Sequence, residues 1–160
     1  MHILKRYIKQ KYNYYSKGER FMRIERFHSA PQQAIDVRIT VFVNEQGFRD
    51  EFDDIDAIST HFVALDDAEL PIATCRVFMG EDESVYLLGR LAVVKEYRGQ
   101  DVGSRMVACA EEYVREAGGK ELRLHAQCRV AEFYEKNGYT SYGEIEEEEG
   151  CPHIWMKKSL

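Results

Sequence analysis

The stretch from Leu88 to Val107 constrains this 160-residue chain more than any other. An apolar segment, Val85 to Val94, passes through a short basic turn into a run with apolar residues at Val102, Met106, Val107, Ala110 and Val114. The first part is too continuously apolar for a half-exposed strand and predicts a buried one. The second has the three-and-four spacing of an amphipathic helix. Between them lie Arg98, Gly99, Gln100, Asp101 and Gly103. A turn placed this way directs unpaired backbone N–H groups, at the positive end of a helix dipole, toward one point. That is an anion site suited to a pyrophosphate. A plain strand-to-helix turn satisfies the same short string, so the segment alone leaves both readings open.

The flanking sequence predicts the rest of one domain. Met22 to Phe27 alternates apolar and polar residues as a strand does. Ser29 and Pro31 are helix-start signals, with Ser29 as N-cap, and a helix carries on through Ala34, Val37, Arg38, Val41 and Phe42 to Gly47. An acidic loop over Asp50, Glu51, Asp53, Asp54 and Asp56 follows. Strands are expected at 61–65, 72–79 and 85–94, a helix at 102–117 ended by Gly118-Gly119, and a strand at 122–126. A short helix at 130–136 and two strands, 139–145 and 153–158, close the chain. The order β-α-β-β-β-α-β-α-β-β sets antiparallel hairpins around one βαβ unit. It predicts an α/β mixed sheet, mostly antiparallel, with helices on both faces.

Residues 1–21 stand apart. Six Lys or Arg and four Tyr sit there against one acid, Glu19. A basic aromatic tail suits a membrane surface or nucleic acid. A poorly ordered extension, or a start site set too early with Met22 as the natural one, is the simpler expectation. The domain is then residues 22–160.

The turn resembles the coenzyme A-binding motif of the GNAT superfamily of N-acetyltransferases, Gln/Arg-x-x-Gly-x-Gly/Ala. Here Arg98 and Gly103 match, and Asp101 stands where the first of the two glycines is usual. A second signature of that family, Asn-x-x-Ala-x-x-Phe/Leu-Tyr-x-x-x-Gly-Phe, is matched by Ala131, Phe133, Tyr134 and Gly138, with Cys128 for the asparagine and Tyr139 for the phenylalanine. The order of elements agrees, over about residues 22 to 160. One branch, the ElaA-type acetyltransferases, is similar in further strings: Arg38-x-x-Val41-Phe-Val-x-Glu45-Gln46, the acidic run Asp53-Asp54-x-Asp56, Ala126-Gln127, and Glu149-Gly150-x-Pro152-His153-Ile154.

The resemblance implies transfer of an acetyl group from acetyl-CoA to a primary amine of a small molecule or peptide. Such chemistry needs a held thioester, a donor for the developing oxyanion, a neutral amine and a proton for the leaving thiolate. By resemblance, the backbone of Leu91, Ala92 and Val93 pairs with pantetheine, and Arg98, Gly99, Gln100, Asp101, Val102, Gly103 and Ser104 cradle the pyrophosphate. Gly103 would keep the phosphate position clear, and Arg98 would offset the charge of Asp101. Tyr134 is the expected proton donor to the thiolate. Glu45 is the candidate base, or the residue that orders a water acting as base. His61, His125 and His153 are alternatives, and Glu144 with Glu146 to Glu149 reads as a solvated loop or an acidic lip for an amine. A non-catalytic acyl-CoA-binding module is the rival reading, given Asp101 and Cys128.

The net charge of −6 and pI of about 5.4 argue against nucleic acid as a partner. Four scattered cysteines, with no C-x-x-C pair, fit reduced thiols in a cytoplasmic protein and no metal. No apolar run is long enough to span a bilayer, so no membrane partner is expected. The P-loop lysine is missing between Gly99 and Ser104, which disfavours a nucleotide-binding domain. The acceptor and the oligomeric state, a homodimer included, are not encoded in a readable way.

Overall fold

The computed structural model describes the backbone of residues 11–14 and all of residues 22–160. Eight strands form one sheet: β1 (Lys11–Tyr14), β2 (Met22–Phe27), β3 (Thr60–Asp66), β4 (Pro71–Met79), β5 (Val85–Val93), β6 (Glu121–Gln127), β7 (Thr140–Glu148) and β8 (Cys151–Ser159). Their spatial order is β1-β2-β3-β4-β5-β6-β8-β7. Every pairing is antiparallel except β5 with β6. Apart from β1, the basic extension lies outside the described residues.

Three α-helices accompany the sheet: α1 (Gln32–Arg38), α2 (Val102–Glu116) and α3 (Ala131–Lys136). The apolar stripe read from the sequence faces inward, with Val102, Met106, Val107, Ala110 and Val114 all buried. It packs on Phe62, Ala73, Cys75, Val77, Leu88, Leu122, Leu124 and Met156. Alternate residues of the same strands meet α1 on the opposite face: Val63 and Leu65 pack on Ala34, and Ala92 on Val37 and Val41. Burial on both faces explains why all seven residues of β3 are buried. Each large apolar side chain so enclosed contributes roughly 1.5–3 kcal/mol.

Three local expectations are corrected. The N-cap of α1 is Pro31 (φ −76°, ψ 159°), not Ser29. The Pro31 carbonyl accepts from the N–H groups of Ala34 and Ile35, and no side chain is needed to start the turn. Beyond Arg38 the helix widens into a π-helical segment, Ile39–Glu45. Segments of this kind recur at functional sites, and this one carries Phe42 and Glu45 toward the central cleft. Of the glutamates after Tyr142, all but Glu149 prove to be strand and not loop. Glu144 to Glu148 belong to β7, the outermost strand.

The end of α2 is set by close packing. Gly118 takes the left-handed conformation (φ 86°) that stops the helix. At Gly119 a Cβ would lie 2.4 Å from Val114 Cγ1 and 2.8 Å from the Tyr86 ring. Both neighbours are buried. Gly119→Ala is therefore expected to destabilise the fold by about 1–3 kcal/mol, the usual cost of overpacking, measured by urea denaturation at neutral pH.

Candidate active site

The site begins with a fork in the sheet. Strands β5 and β6 pair in parallel from Val85↔Glu121 to Leu88↔Leu124 and no further. Beyond that point β6 stays with β8 while β5 stays with β4. A bulge bends β5 at the same place. Gly89 pairs with Arg76 and Ala92 with Thr74, so Arg90 and Leu91 together face Cys75. Arg90 adopts φ 54°, a left-handed angle that a non-glycine residue holds only when its surroundings impose it. The separated strands open a cleft of ≈ 1040 Å³ that reaches from the start of α2 to the β7–β8 hairpin.

Most expected site residues meet in this cleft. Leu91, Ala92, Val93, Arg98, Gly99, Asp101, Val102, Gly103, Ser104, Tyr134 and Glu45 all line it. Gln100 is not among them, and its side-chain amide donates to the Glu96 carbonyl at 2.9 Å. Gly99 (φ 71°) and Asp101 (φ 65°) are both left-handed, and Asp101 is the residue that opens α2. Asp tolerates this conformation better than most side chains. Its carboxylate lies 3.8 Å from Arg105, one helical turn on, and not beside Arg98.

Arg98 is committed elsewhere. Its guanidinium makes two bonds to Glu45, at 2.5 and 2.9 Å, and its Nε donates to the Val93 carbonyl at 2.9 Å. These hydrogen bonds hold the Glu45 carboxyl below its usual range, so it is ionised and a weak proton acceptor. Glu45 thus anchors the turn through Arg98. Gly103 also has a packing reason. A Cβ there would meet the Phe133 ring at 3.1 Å and Val93 Cγ2 at 3.8 Å, so the glycine lets the start of α2 approach α3.

Tyr134 is buried, with its ring against Phe133 and Tyr139. Its hydroxyl has no protein hydrogen-bond partner among the described residues. Burial, with the Cys75 sulfur nearby, pushes its pKa up, so the hydroxyl keeps its proton at neutral pH. Phe133 and Tyr134 come from α3 and Gly103 from α2, and the cleft runs between these helices on the face that carries the main core.

The opposite face holds charges that pattern reading did not find. Arg38, only 1 % exposed, bonds Glu51 at 2.8 Å and Asp56 at 2.8 and 3.1 Å. Arg76 bonds Asp53 at 2.6 and 2.9 Å and Asp56 at 2.8 Å. Arg90 reaches Glu51 at 3.0 Å and Asp53 at 3.3 Å. Three cations meet three carboxylates, so the acidic run is a loop folded down onto the sheet. A charge at position 76 between Cys75 and Val77, inside an apolar strand, was the available signal. Two further contacts tie the cleft walls together. Gln127 Nε2 donates to Gln46 Oε1 at 2.8 Å, and the Glu149 carboxylate accepts from the backbone N–H of Arg49 at 3.0 Å and of Asp50 at 3.5 Å.

Of the three candidate histidines, His61 lies outside the cleft, with Nε2 3.0 Å from the Asp56 carbonyl. Its burial lowers its pKa and keeps it neutral. His125 and His153 line the cleft together with Glu148, Glu149 and Trp155. Among the described residues no group of His, Cys, Asp and Glu is arranged to hold a metal ion, and no helix is long and apolar enough to cross a membrane.

The acid response of the loop follows from its pairings. Hydrogen bonds from Arg76 hold Asp53 below its ordinary pKa. At Asp56 burial pushes the pKa up, but the bonds from Arg38 and Arg76 outweigh it and the net shift is downward. For both, the stabilisation is complete above the unfolded pKa, near 3.9, and is lost as pH falls through the lower folded value. Burial raises Glu51 instead, so its protonation on acidification works in the opposite sense. The melting temperature is expected to fall as pH drops below about 4, through the lowered values of Asp53 and Asp56, and Asp53→Asn to flatten that slope, as read by thermal melts across the range.

Comparison with known proteins places these features in a family. The sequence profile of the acetyltransferase (GNAT) domain matches residues 28–160. Protein YyaT of Bacillus subtilis is 31% identical over 134 residues, which cover 80% of this chain and 88% of YyaT. Protein ElaA of Escherichia coli is 29% identical over 131 residues, covering 79% and 85% of the two chains. The crystal structure of E. coli ElaA superposes with a TM-score of 0.77 at 24% identity, over 86% of this chain and 99% of that one. An aminoglycoside 6′-N-acetyltransferase complexed with coenzyme A shares the fold, with a TM-score of 0.65 at 19% identity over 85% and 96% of the chains.

Proposed function

This chain belongs to the GNAT acetyltransferases, a family that transfers acyl groups from acyl-CoA, and on that premise we propose that it acetylates a primary amine. The donor is acetyl-CoA, the acceptor a small molecule or peptide, and the amine attacks the thioester directly in a ternary complex. Residues 22–160 form the catalytic domain of a cytoplasmic enzyme. One observation carries the reading: the fork of β5 and β6 brings an unpaired strand edge, a left-handed turn at a helix start and a partnerless tyrosine hydroxyl into one cleft.

Each part has a task. The β6-facing edge of β5 beyond Leu88 has no ladder partner, so Leu91 to Val93 are available to pantetheine as an added strand. The Val93 carbonyl already accepts from Arg98, but a carbonyl oxygen has two lone pairs and one remains. The backbone N–H groups at the start of α2, between Gly99 and Ser104, suit the pyrophosphate. The bulge at Arg90 and Leu91 turns β5 so that a backbone N–H can stabilise the oxyanion as the amine adds to the carbonyl carbon. When the C–S bond breaks, the Tyr134 hydroxyl gives its proton to the sulfur and recovers one from the nitrogen that becomes the amide. Burial raises the Tyr134 pKa, so the phenol holds its proton until the leaving thiolate takes it.

Tyr134→Phe keeps the ring and its packing and loses the donor. Thiol release with a good amine should fall by about 10²- to 10⁴-fold in kcat, with CoA affinity by calorimetry little changed. A near-normal kcat with chemistry rate-limiting would return Tyr134 to packing alone. CoA binding with no thiol release from any amine would favour the non-catalytic module instead.

Asp101→Gly relieves a left-handed non-glycine residue and removes a carboxylate close to the pyrophosphate position. CoA should bind as well or more tightly, and the protein should gain a few tenths to about 1 kcal/mol of stability. Weaker CoA binding by calorimetry, with the fold intact, would show that the Asp101 carboxylate makes a favourable contact with the ligand.

A further inference from the structure

The apex of the fork has a second face, turned away from α2. Along β6, Leu122, Leu124 and Ala126 enter the core with α2, so Arg123, His125 and Gln127 project the other way. Since the β5–β6 ladder ends at Leu88↔Leu124, His125 is the first β6 residue past the separation. Across the gap stands Gly89, which has no side chain to fill the space. Any acceptor that approaches a thioester held along β5 from this face passes His125.

The imidazole is held like a working base. Its Nδ1 lies 2.9 Å from Glu148 Oε1, and its ring stacks on Trp155 with centroids 4.6 Å apart and planes 19° apart. A hydrogen bond from Nδ1–H to a carboxylate fixes the tautomer that leaves a lone pair on Nε2. Nε2 is buried and has no hydrogen-bond partner among the described residues, a place that a ligand or water would complete. The nearest charge to it is Glu146 Oε2, at 3.6 Å. On β8 the His153 ring is centred 5.0 Å away, with its own Nδ1 2.8 Å from the Cys151 carbonyl and its Nε2 3.7 Å from Glu148. Glu146 and Glu148 on β7 and His153 on β8 are the titratable groups that face the ring.

We propose that His125, oriented by Glu148, takes the proton from the acceptor's ammonium, with Glu146 drawing that cation to Nε2. The assignment rests on the acetyltransferase reading of the cleft and replaces Glu45, whose carboxylate is held by Arg98. The acceptor is therefore an amine that arrives protonated. Its N–H bond breaks toward Nε2, and the freed lone pair forms the bond to the acetyl carbon. Loss of the sulfur and of a second nitrogen proton yields amide and thiol, and His125 passes its proton to solvent. One proton is released per turnover.

The test uses the full chain, acetyl-CoA and the best amine from a primary-amine panel, with thiol release followed from about pH 5 to 10. Wild-type kcat/KM should rise with pH along an acid limb. His125→Gln should lower it by about 10²- to 10⁴-fold and abolish the limb, with CoA affinity within about twofold of wild type. Glu148→Gln should lower kcat/KM by a smaller factor with CoA affinity unchanged, because the ring loses the carboxylate that fixes its tautomer. NMR of the His125 ring in the CoA-bound protein needs no acceptor and no mutation at His125. It should show Nδ1 protonated and Nε2 bare at high pH, and a mixture of the two tautomers in Glu148→Gln. Wild-type kcat/KM in His125→Gln, a fall with the limb unmoved, or the opposite tautomer would overturn the role of His125 and leave the transferase reading standing. CoA binding without thiol release from any amine would overturn that reading, and this role with it.

Discussion

Parallel pairing between β5 and β6 lasts four residues, and the function proposed for this protein depends on where it stops. A parallel pair needs a crossover, here the turn at 98–104 and α2, so the start of α2 is delivered to the end of β5 by connectivity alone. Each strand then keeps its stronger antiparallel partner, β4 for β5 and β8 for β6, and the bulge at Arg90 and Leu91 turns β5 away. A wedge between two strands leaves backbone groups that need partners. In a protein that holds an extended ligand, those groups become the site.

The wedge stays open because its flank is rigid. Arg38 comes from α1, Arg76 from β4 and Arg90 from the bulge, and the 51–56 segment joins all three. Buried ion pairs of this sort add little net stability, since desolvation offsets most of the attraction, but removing one member leaves an uncompensated charge. Their effect is positional. They pin an irregular segment to the sheet and hold Arg90 in a backbone conformation it would not adopt alone.

The fold was largely legible in the sequence because periodicity reports burial directly. The order of ten elements from Met22 onward, the α2 stripe and the Gly118 stop all appear as read. One reading went astray locally: Ser29 has the chemistry of a cap, but the chain turns at Pro31. Elsewhere the sequence was silent where the partner is distant. Glu45 is paired by both oxygens with Arg98, 53 residues away. Gly103 matches a ligand motif and also faces the Phe133 ring. The contact of His125 with Glu148 depends on the β7–β8 hairpin register, which shifts between Tyr142 and Glu146 and which no local string encodes. The ElaA-like strings did carry information of another kind. Gln46, Asp53, Asp56, Gln127 and Glu149 are the residues that join the cleft walls and anchor the acidic loop.

A cleft that passes through a sheet has two mouths. One opens beside the start of α2 and α3, the other between the 46–50 segment and the β7–β8 hairpin, where Gln46 meets Gln127 and Glu149 meets the backbone of Arg49 and Asp50. On the proposed reading the carrier would enter and depart on one side of the sheet and the acylated cargo on the other, past two tethers that are a neutral amide pair and a carboxylate on backbone N–H groups. A compound that plugs one doorway would then compete with one substrate only.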